Sequence, residues 1–529
     1  MNRSLVIWLA VLVLQLFVAI TVAARTVNLF SLIAWLSSIS IAVKIFLGKS
    51  SPQKHHDVLI PIILAISQLG ILGYFSSLPT HYHQDEFITA YTSWTLPPIN
   101  KLDWFAVYPP VWVSQFPVLF HIFQKPFFFF LGPTVEAVRI SVWPYAIGIL
   151  VYLYFLTKIL YSRKLAIIVG IIYSAFAPHV YLSSMGLHFI SSTFFYIAAL
   201  THFVAGQSVA AGIFSGLAYL TYTSSYVTYP VIAIIAVLTN RKGLVITTLV
   251  TLLVLTPFLV YAGTVNNFFT QRVNQVNALW GTWSDPAKQQ IAPLAIIQKQ
   301  TIDAFRSLVI PGVGGLGGYN FGKLGLLDTT GAVLLAIGFI MLLGGAVKKS
   351  GNWIVLIALL VPFTTGFILT THPPPFHRLS IIYPFLALIV GLAITRSGLL
   401  VLIPIVIVAN LLHTNYMIKA DANIYPQNSR LIAEYITQNI PPGQPIQIAA
   451  YPSFYLGQEL LFRTNNHYPI TTGETGNILD GYRGGTLLLL NPTKENLDKL
   501  RAMYPNSSTL RSIDGVSLGD ITLFRPVKK

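Results

Sequence analysis

The sequence has no cysteine and very little charge. None of its 529 residues is Cys, and only 9% are Asp, Glu, Lys or Arg, against roughly a quarter in an ordinary soluble domain. The absence of cysteine excludes a disulfide framework, a thiolate nucleophile and a cysteine-ligated zinc site. The scarcity of charge, with 54% hydrophobic residues, indicates an integral membrane protein.

The charged residues that do occur are mostly basic. Lys and Arg number 33, against 17 for Asp and Glu. The excess lies before residue 420, among the hydrophobic runs, and no basic cluster occurs on a soluble segment. This distribution is typical of a membrane protein with positively charged inner loops, and it disfavours nucleic-acid binding.

Thirteen hydrophobic runs are candidate membrane spans. A helix needs about 20 apolar residues to cross ~30 Å of hydrocarbon, and shorter runs suffice where neighbouring helices shield them. The candidates are Ser4–Ala24, Leu29–Gly48, Val58–Ser77, Val138–Leu156, Leu165–Tyr181, Leu187–Val204, Val209–Tyr222, Tyr226–Leu238, Leu244–Tyr261, Thr330–Val347, Trp353–Leu369, Leu379–Ile394 and Leu399–Leu412. We therefore predict a mainly α polytopic helix bundle.

The basic residues predict the orientation of the spans. With the N-terminus in the cytoplasm, the short inner loops hold Arg3, Lys49, Lys54, Lys158, Arg163, Lys164, Arg241, Lys242, Lys348, Lys349 and Arg396. The short outer loops then hold only Arg25 and Arg378, as the positive-inside rule requires. Residues 79–137, residues 262–329 and the tail from His413 would lie outside. The first span is long for a signal peptide, so we favour a retained helix over a cleaved one.

The tail differs in character from the rest of the chain. From Ser429 it alternates helix-like stretches such as "TKENLDKLRAMYP" with strand-like runs, "QPIQIAAYP", "GGTLLLLNP" and "ITLFRP". This alternation predicts a small α/β domain on the outer surface. We divide the chain into two additional N-terminal helices (1–57), a catalytic membrane domain (58–415) and an extracytoplasmic α/β domain (416–529).

Asp85 and Glu86 form the only adjacent acidic pair before Asp421. Two carboxylates beside a low-dielectric region repel each other unless a cation compensates, and such pairs are candidates for function. The alternative is a solvated helix start, where the helix dipole favours acids. Arg139 is a candidate for the cation, although it could instead pair with Glu136 within a helix.

The segment "THPPPFHRLS" forms a second candidate site. Its prolines stiffen the loop and present His372, His377 and Arg378 between two spans. Arginine suits bidentate phosphate binding, whereas the alternative is an anchoring Arg that extends to the membrane interface.

A divalent metal site is a further hypothesis for the first long loop. His81, His83, Asp85 and Glu86 have imidazole and carboxylate groups at a spacing that allows convergence on one ion. Isolated interfacial histidines that bind no metal are the alternative.

Several motifs resemble those of a known superfamily. The runs "HQDEFITAYTSWTLPP", "YPPVW", "LGPTVEAVRI", "GLAYLTYTSSYVTYP", "LLDTTGAVLLAIG" and "PPPFHRLSIIYPF" alternate with spans over residues 58–415. In that order they resemble the GT-C glycosyltransferases, namely protein O-mannosyltransferases and lipid A aminoarabinose transferases. The resemblance implies that Asp85 is the catalytic carboxylate and that Arg139 supports the acidic pair.

The sequence also departs from the superfamily pattern. The Lys-Pro-Pro of the aminoarabinose type stands here as Tyr108-Pro109-Pro110, and the arginine often found after the fifth span is missing from "LSSMGLHF". The Trp-Trp-Asp motif of oligosaccharyltransferases has no match, which disfavours whole-glycan transfer. We expect His83, Tyr108, His372, His377 and Arg378 to contact substrate.

The expected function is that of a polyprenyl-phosphate-sugar-dependent glycosyltransferase. It would move one sugar from a dolichyl or undecaprenyl phosphate carrier to a lipid, glycan or protein acceptor, with inversion and with Asp85 as general base. No organic cofactor is expected. Two alternatives are a transporter or flippase of lipid-linked saccharides, which predicts ionisable residues near the bilayer midplane, and a non-catalytic binding protein.

We predict that the C-terminus lies outside the cytoplasm, because the basic loops fix the orientation. Alkaline phosphatase fused after Lys529 should be active, and a fluorescent protein that folds only in the cytoplasm should be dark. An inactive phosphatase fusion together with a fluorescent reporter fusion would contradict this topology.

Overall fold

The chain is described by a computed structural model. It covers residues 3–47, 58–77, 84–108, 117–282, 292–314, 324–345, 350–370, 375–424, 428–449, 454–473, 475–482, 484–490, 492–513, 516–518 and 521–526. The chain folds into two compact units. The helical unit consists of residues 1–78, 96–123 and 139–420, and the mixed unit consists of residues 79–95, 124–138 and 421–529.

Helices account for nearly all regular structure before residue 425. They are α1 (Arg3–Ala23), α2 (Leu29–Leu47), α3 (Leu59–Ser77), α4 (Gln84–Thr95), α5 (Leu119–Leu131), α6 (Val135–Ile140), α7 (Trp143–Leu160), α8 (Arg163–Ser174), α9 (Ala177–Ser183), α10 (Phe189–Val204), α11 (Ser208–Ala218), α12 (Thr228–Thr239), α13 (Arg241–Thr264), α14 (Phe268–Val276), α15 (Pro293–Ser307), α16 (Thr329–Gly344), α17 (Ser350–Phe363), α18 (Phe376–Leu379), α19 (Tyr383–Ser397) and α20 (Leu402–Ile424). The predicted mainly α class is confirmed.

Each predicted span overlaps one helix or two consecutive helices, but the count of thirteen crossings is not confirmed. Among the described residues, eight helical segments are long and apolar enough to cross a membrane, or nine if α8 and α9, bent by 56°, form one span. α10, α11, α12 and α16 have only 11 to 16 residues, fewer than the ~20 that a lone span needs.

The centre of the helical unit is α19. Every residue from Tyr383 to Ile394 is buried, so this helix is apolar on all sides because protein surrounds it. It packs against α16 and α8. By contrast, α1 and α2 expose large apolar side chains such as Leu12 and Phe30, as lipid-facing helices do.

Two small residues allow α11 and α13 to approach closely. A Cβ atom on Gly212 would lie 2.7 Å from Cβ of Val250, and one on Gly216 would lie 2.6 Å from Cβ of Val254. Thr251 Oγ1 donates a hydrogen bond of 3.1 Å to the carbonyl oxygen of Gly212. This is the small-xxx-small packing found between membrane helices.

The mixed unit contains the tail, whose α/β character was predicted. Its elements are α21 (Asn428–Asn439), β1 (Ile446–Ala449), α22 (Phe454–Arg463), β2 (Ile470–Gly473), α23 (Thr475–Gly481), β3 (Thr486–Leu490), α24 (Lys494–Met503), β4 (Ser507–Leu510), β5 (Ser512–Ile513), β6 (Val516–Ser517) and β7 (Ile521–Pro526). β1, β3, α24 and β7 lie within the four segments that predicted them.

One sheet organises this tail. Its strand order is β2-β1-β3-β7-β4, parallel from β2 to β3 and antiparallel at β7 and β4. Since side chains alternate between the faces of a strand, Leu488 and Leu523 pack with α21 and α22 on one face. Leu487 and Phe524 pack with α23 and α24 on the other.

The mixed unit also includes two pieces of the first long loop, residues 79–95 and 124–138. α4 packs against α22 of the tail. The predicted boundary between the membrane domain (58–415) and the extracytoplasmic domain (416–529) instead assigns α4 to the membrane domain. Those domain boundaries stay a prediction.

We predict that Gly212→Leu lowers the melting temperature, because overpacking a close helix contact costs about 1–3 kcal/mol. Gly263→Leu is the matched control, since a Cβ there meets no atom within 4 Å. Equal melting temperatures for the two purified variants would contradict the close α11–α13 contact.

Candidate active site

The predicted acidic pair lies in the first turn of α4. Carboxylates are favoured there because backbone N–H groups give the helix start a partial positive charge. The two side chains differ in exposure, since Asp85 is half-buried whereas Glu86 is only 1% exposed. Asp85 therefore has the more accessible carboxylate, and Glu86 is part of the packing.

Aromatic side chains fix the start of α4 against the tail. The ring of Phe87 lies 5.7 Å from the ring of Phe462, and the Arg463 guanidinium lies 4.3 Å from the centre of the Phe87 ring. Arg463 Nε in turn donates a hydrogen bond of 3.0 Å to Glu459. A stacked, ion-paired Arg holds its position better than an isolated one, so α22 positions the acidic helix.

Arg139 lies in the helical unit, at the end of α6, and is 4% exposed. Its Nη1 donates a hydrogen bond to the carbonyl oxygen of Ser76, in the last turn of α3. Basic groups are stabilising at helix C-termini, where carbonyl oxygens lack intrahelical donors. Arg139 thus anchors the start of segment 139–420 to the end of α3.

Arg378 and His377 lie on the short helix α18 and are 3% and 4% exposed. This burial contradicts the alternative in which Arg378 extends to the membrane interface. The Arg378 guanidinium and the Tyr222 hydroxyl interact electrostatically. The predicted basic segment is therefore internal.

Three residues of the helical unit that sequence reasoning missed complete this region, namely Tyr222, Arg272 and His188. The charge of Arg272, on α14, acts on both Arg378 and His188. The ring of His188 lies 4.9 Å from that of Tyr222. We call Arg378, His377, His188, Tyr222 and Arg272 the basic cluster.

Aromatic rings hold the basic cluster together. Phe189 contacts His377 at 4.6 Å and Tyr222 at 4.8 Å between ring centres. Phe120 lies 5.9 Å from His188. Phe189 and Phe120 are 4% and 3% exposed, so buried apolar rings cover the histidine and tyrosine side chains of the cluster.

The chemistry of this cluster suits an anion. The like charges of Arg272 and the buried Arg378 disfavour each other, and a phosphate bound beside them would offset that repulsion by attracting both groups. Arginine also matches phosphate geometry with paired N–H donors.

The signal for the missed members was weak. His188 lies in "LSSMGLHF", where the superfamily arginine is missing, and Tyr222 lies in "GLAYLTYTSSYVTYP", a run that resembles the superfamily as a whole but singles out none of its residues. Arg272 lies in the second long loop in no recognised motif. Their proximity depends on three separate chain segments.

Tyr108 has a structural partner in the helical unit. Its hydroxyl accepts a hydrogen bond of 2.7 Å from the backbone N–H of Asp103. Burial raises the pKa of the Asp103 carboxyl, and hydrogen bonds from the backbone of Phe105 and Ala106 oppose that rise. Burial also raises the pKa of Tyr108. The pair stabilises the first long loop, and substrate contact by Tyr108 stays a prediction.

The other predicted site residues cannot be placed. His83 and His372 lie outside the described residues, as does His81 of the metal hypothesis. Among the residues that the structure describes, no group of three His, Asp or Glu side chains could hold a metal ion.

Sequence comparisons find no relative. No protein-family model matches the chain, and no curated protein sequence matches it.

Solved structures do match. The structure of ArnT from Cupriavidus metallidurans bound to undecaprenyl phosphate aligns with 88% of this chain and 97% of its own, at 12% identity and a TM-score of 0.56. The archaeal oligosaccharyltransferase AglB from Archaeoglobus fulgidus, in complex with an inhibitory peptide and a dolichol-phosphate, aligns with 82% of this chain at 12% identity and a TM-score of 0.50.

The match to the archaeal enzyme is partial in length. This chain spans 69% of that AglB chain. The structure of the A. fulgidus oligosaccharyltransferase in complex with Zn and sulfate aligns with 78% of this chain and 62% of its own, at 14% identity and a TM-score of 0.47. Identities this low establish the fold alone. The chain has the GT-C fold, as its sequence motifs predicted.

Proposed function

We propose that this protein is a membrane glycosyltransferase that moves a single sugar from a polyprenyl phosphate carrier to an acceptor on the extracytoplasmic face. The observation that carries the proposal is the basic cluster, in which the charge of the half-buried Arg272 acts on the buried Arg378. A lipid-linked phosphate supplies both the anion and the apolar chain for such a site. The bound lipids named for the ArnT and AglB structures have the same chemistry.

The cluster would act on the leaving group. As the bond between the anomeric carbon and the phosphate oxygen breaks, the phosphate gains negative charge, and preorganised cations stabilise that charge in a low-dielectric site. The Tyr222 hydroxyl would orient the Arg378 guanidinium. Polyprenyl phosphate is then released as the second product.

Asp85 would act on the acceptor. Its half-buried carboxylate would accept the proton from an acceptor hydroxyl while the acceptor oxygen bonds to the anomeric carbon. A single displacement without a covalent enzyme intermediate inverts the configuration. Glu86 and Arg139 would support Asp85 rather than react, and the burial of Glu86 supports this division of roles.

The function is tested by incubating the purified protein with labelled dolichyl or undecaprenyl phosphate sugars and membrane lipid, glycan or protein fractions. Transfer of label with release of polyprenyl phosphate is the expected result. A flippase would move the intact lipid-linked sugar across a vesicle membrane and transfer nothing, which would contradict the proposal.

We predict that Asp85→Asn lowers turnover about 10² to 10⁴ fold, because Asn cannot accept the acceptor's proton. Donor binding and thermal stability should remain near wild type, since Asp85 is half-buried. Glu86→Gln should lower the melting temperature, because its side chain is buried. Normal turnover in Asp85→Asn with no turnover in a folded Glu86→Gln would assign the base to Glu86.

We predict that Arg378→Ala weakens donor binding roughly ten to a hundredfold, since a charge-assisted hydrogen bond contributes about 1.5–3 kcal/mol. Tyr222→Phe should cause a smaller loss, because it removes only the orienting hydroxyl. Arg306→Ala is the matched control, since that side chain is 54% exposed. Unchanged affinity of folded Arg378→Ala for polyprenyl phosphate would contradict the phosphate role.

A further inference from the structure

The mixed unit contains a surface cleft of about 620 Å³. Its walls come from the turn between α5 and α6, from one side of α21, and from the end of α22. They contain Gly132, Pro133, Thr134, Val135, Arg430, Ala433, Glu434, Thr437, Gln438, Phe462, Arg463 and Asn465. A volume of this size is within the range of small-molecule sites.

The charges in the cleft are balanced. Arg430 lies 3.8 Å from Glu434, and Arg463 lies 3.0 Å from Glu459. Each guanidinium therefore has a carboxylate partner on its own helix. This pairing favours an uncharged ligand over a phosphate or a carboxylate.

The exposed polar groups of the cleft suit a ligand with many hydroxyl groups. Thr437 Oγ1 donates to the carbonyl oxygen of Ala433 at 2.8 Å, which leaves its oxygen able to accept. The amides of Gln438 and Asn465 provide both donors and acceptors. Asn465 has a left-handed backbone with φ of 51°, which Asn tolerates and which holds it at the turn after α22.

A peptide fits these walls less well. The described lining residues belong to helices and turns, so the cleft offers no strand edge to pair with an extended backbone. Phe462 is only 1% exposed, and its ring is already packed against Phe87 and Phe128. No aromatic pocket is thus left, among these described residues, for an apolar peptide side chain.

The cleft shares a wall with the acidic helix. Phe462 and Arg463 line the cleft, and both contact Phe87, which follows Asp85 and Glu86 directly in α4. A ligand bound here would therefore contact the same α22 residues that hold the helix of Asp85 in place.

We propose that this cleft binds a neutral glycan of about two sugar rings as the acceptor, an inference that rests on the proposed transferase function. The acceptor class would then be a carbohydrate, whose hydroxyl groups donate to Thr437 Oγ1 and exchange hydrogen bonds with the amides of Gln438 and Asn465. Its reactive hydroxyl would be the group that Asp85 deprotonates.

The test measures binding of neutral disaccharides (maltose, cellobiose and mannobiose) to the full-length protein in nanodiscs by saturation-transfer NMR. At least one should bind. Thr437→Trp should weaken that binding about tenfold or more, because Thr437 lines the cleft and an indole there would fill it. Asn439→Trp is the matched control, since Asn439 is exposed on the same helix but outside the cleft, and it should bind as wild type.

Three results would overturn the inference: no disaccharide bound, equal binding by Thr437→Trp and Asn439→Trp, or binding of a neutral octapeptide alone. Donor-dependent transfer is measured separately on the same preparations. Transfer without cleft-dependent sugar binding would refute the acceptor site only. Cleft-dependent binding without any transfer would refute the proposed function.

Discussion

The cost of placing like charges inside an apolar helix bundle is the constraint on which this account depends. Arg378 is almost fully buried, the charge of Arg272 acts on it, and the ring of Phe189 packs against the neighbouring His377. Such an arrangement is unfavourable unless hydrogen bonds and an opposite charge compensate. Tyr222 provides one hydrogen-bonding group, and the phosphate of a lipid carrier would provide the opposite charge.

The second requirement is a base that stays rigid at the edge of an apolar region. α4 is too short to be held by its own hydrogen bonds, so packing must hold it. Phe87 provides that packing through Phe462 and Arg463 of α22. The tail is thereby part of the support for Asp85, in addition to the acceptor recognition that we propose for its cleft.

Local patterns predicted much of the fold. The apolar runs overlap helices, and the strand-like segments of the tail contain β1, β3 and β7. Both signals are local, because the pattern of apolar residues along one helix or strand depends only on that element. The number of membrane crossings was not predictable in the same way. α11 and α12 are too short to span a membrane alone, so whether they cross depends on the helices packed around them. α5 was missed because Lys125 and Pro126 interrupt its apolar run.

The candidate site was only partly predictable for a related reason. The Asp85-Glu86 pair and Arg378 stand in local motifs, whereas His188, Tyr222 and Arg272 come together only through tertiary packing. No spacing rule connects them, and the same holds for Arg463 and Phe87.

The most direct test of the central claim is an experimental structure of the protein with polyprenyl phosphate bound. The account predicts phosphate density within hydrogen-bonding distance of the Arg378 guanidinium, with Arg272 and His188 facing it. Phosphate bound at another site, with the basic cluster unchanged and without lipid, would contradict the account.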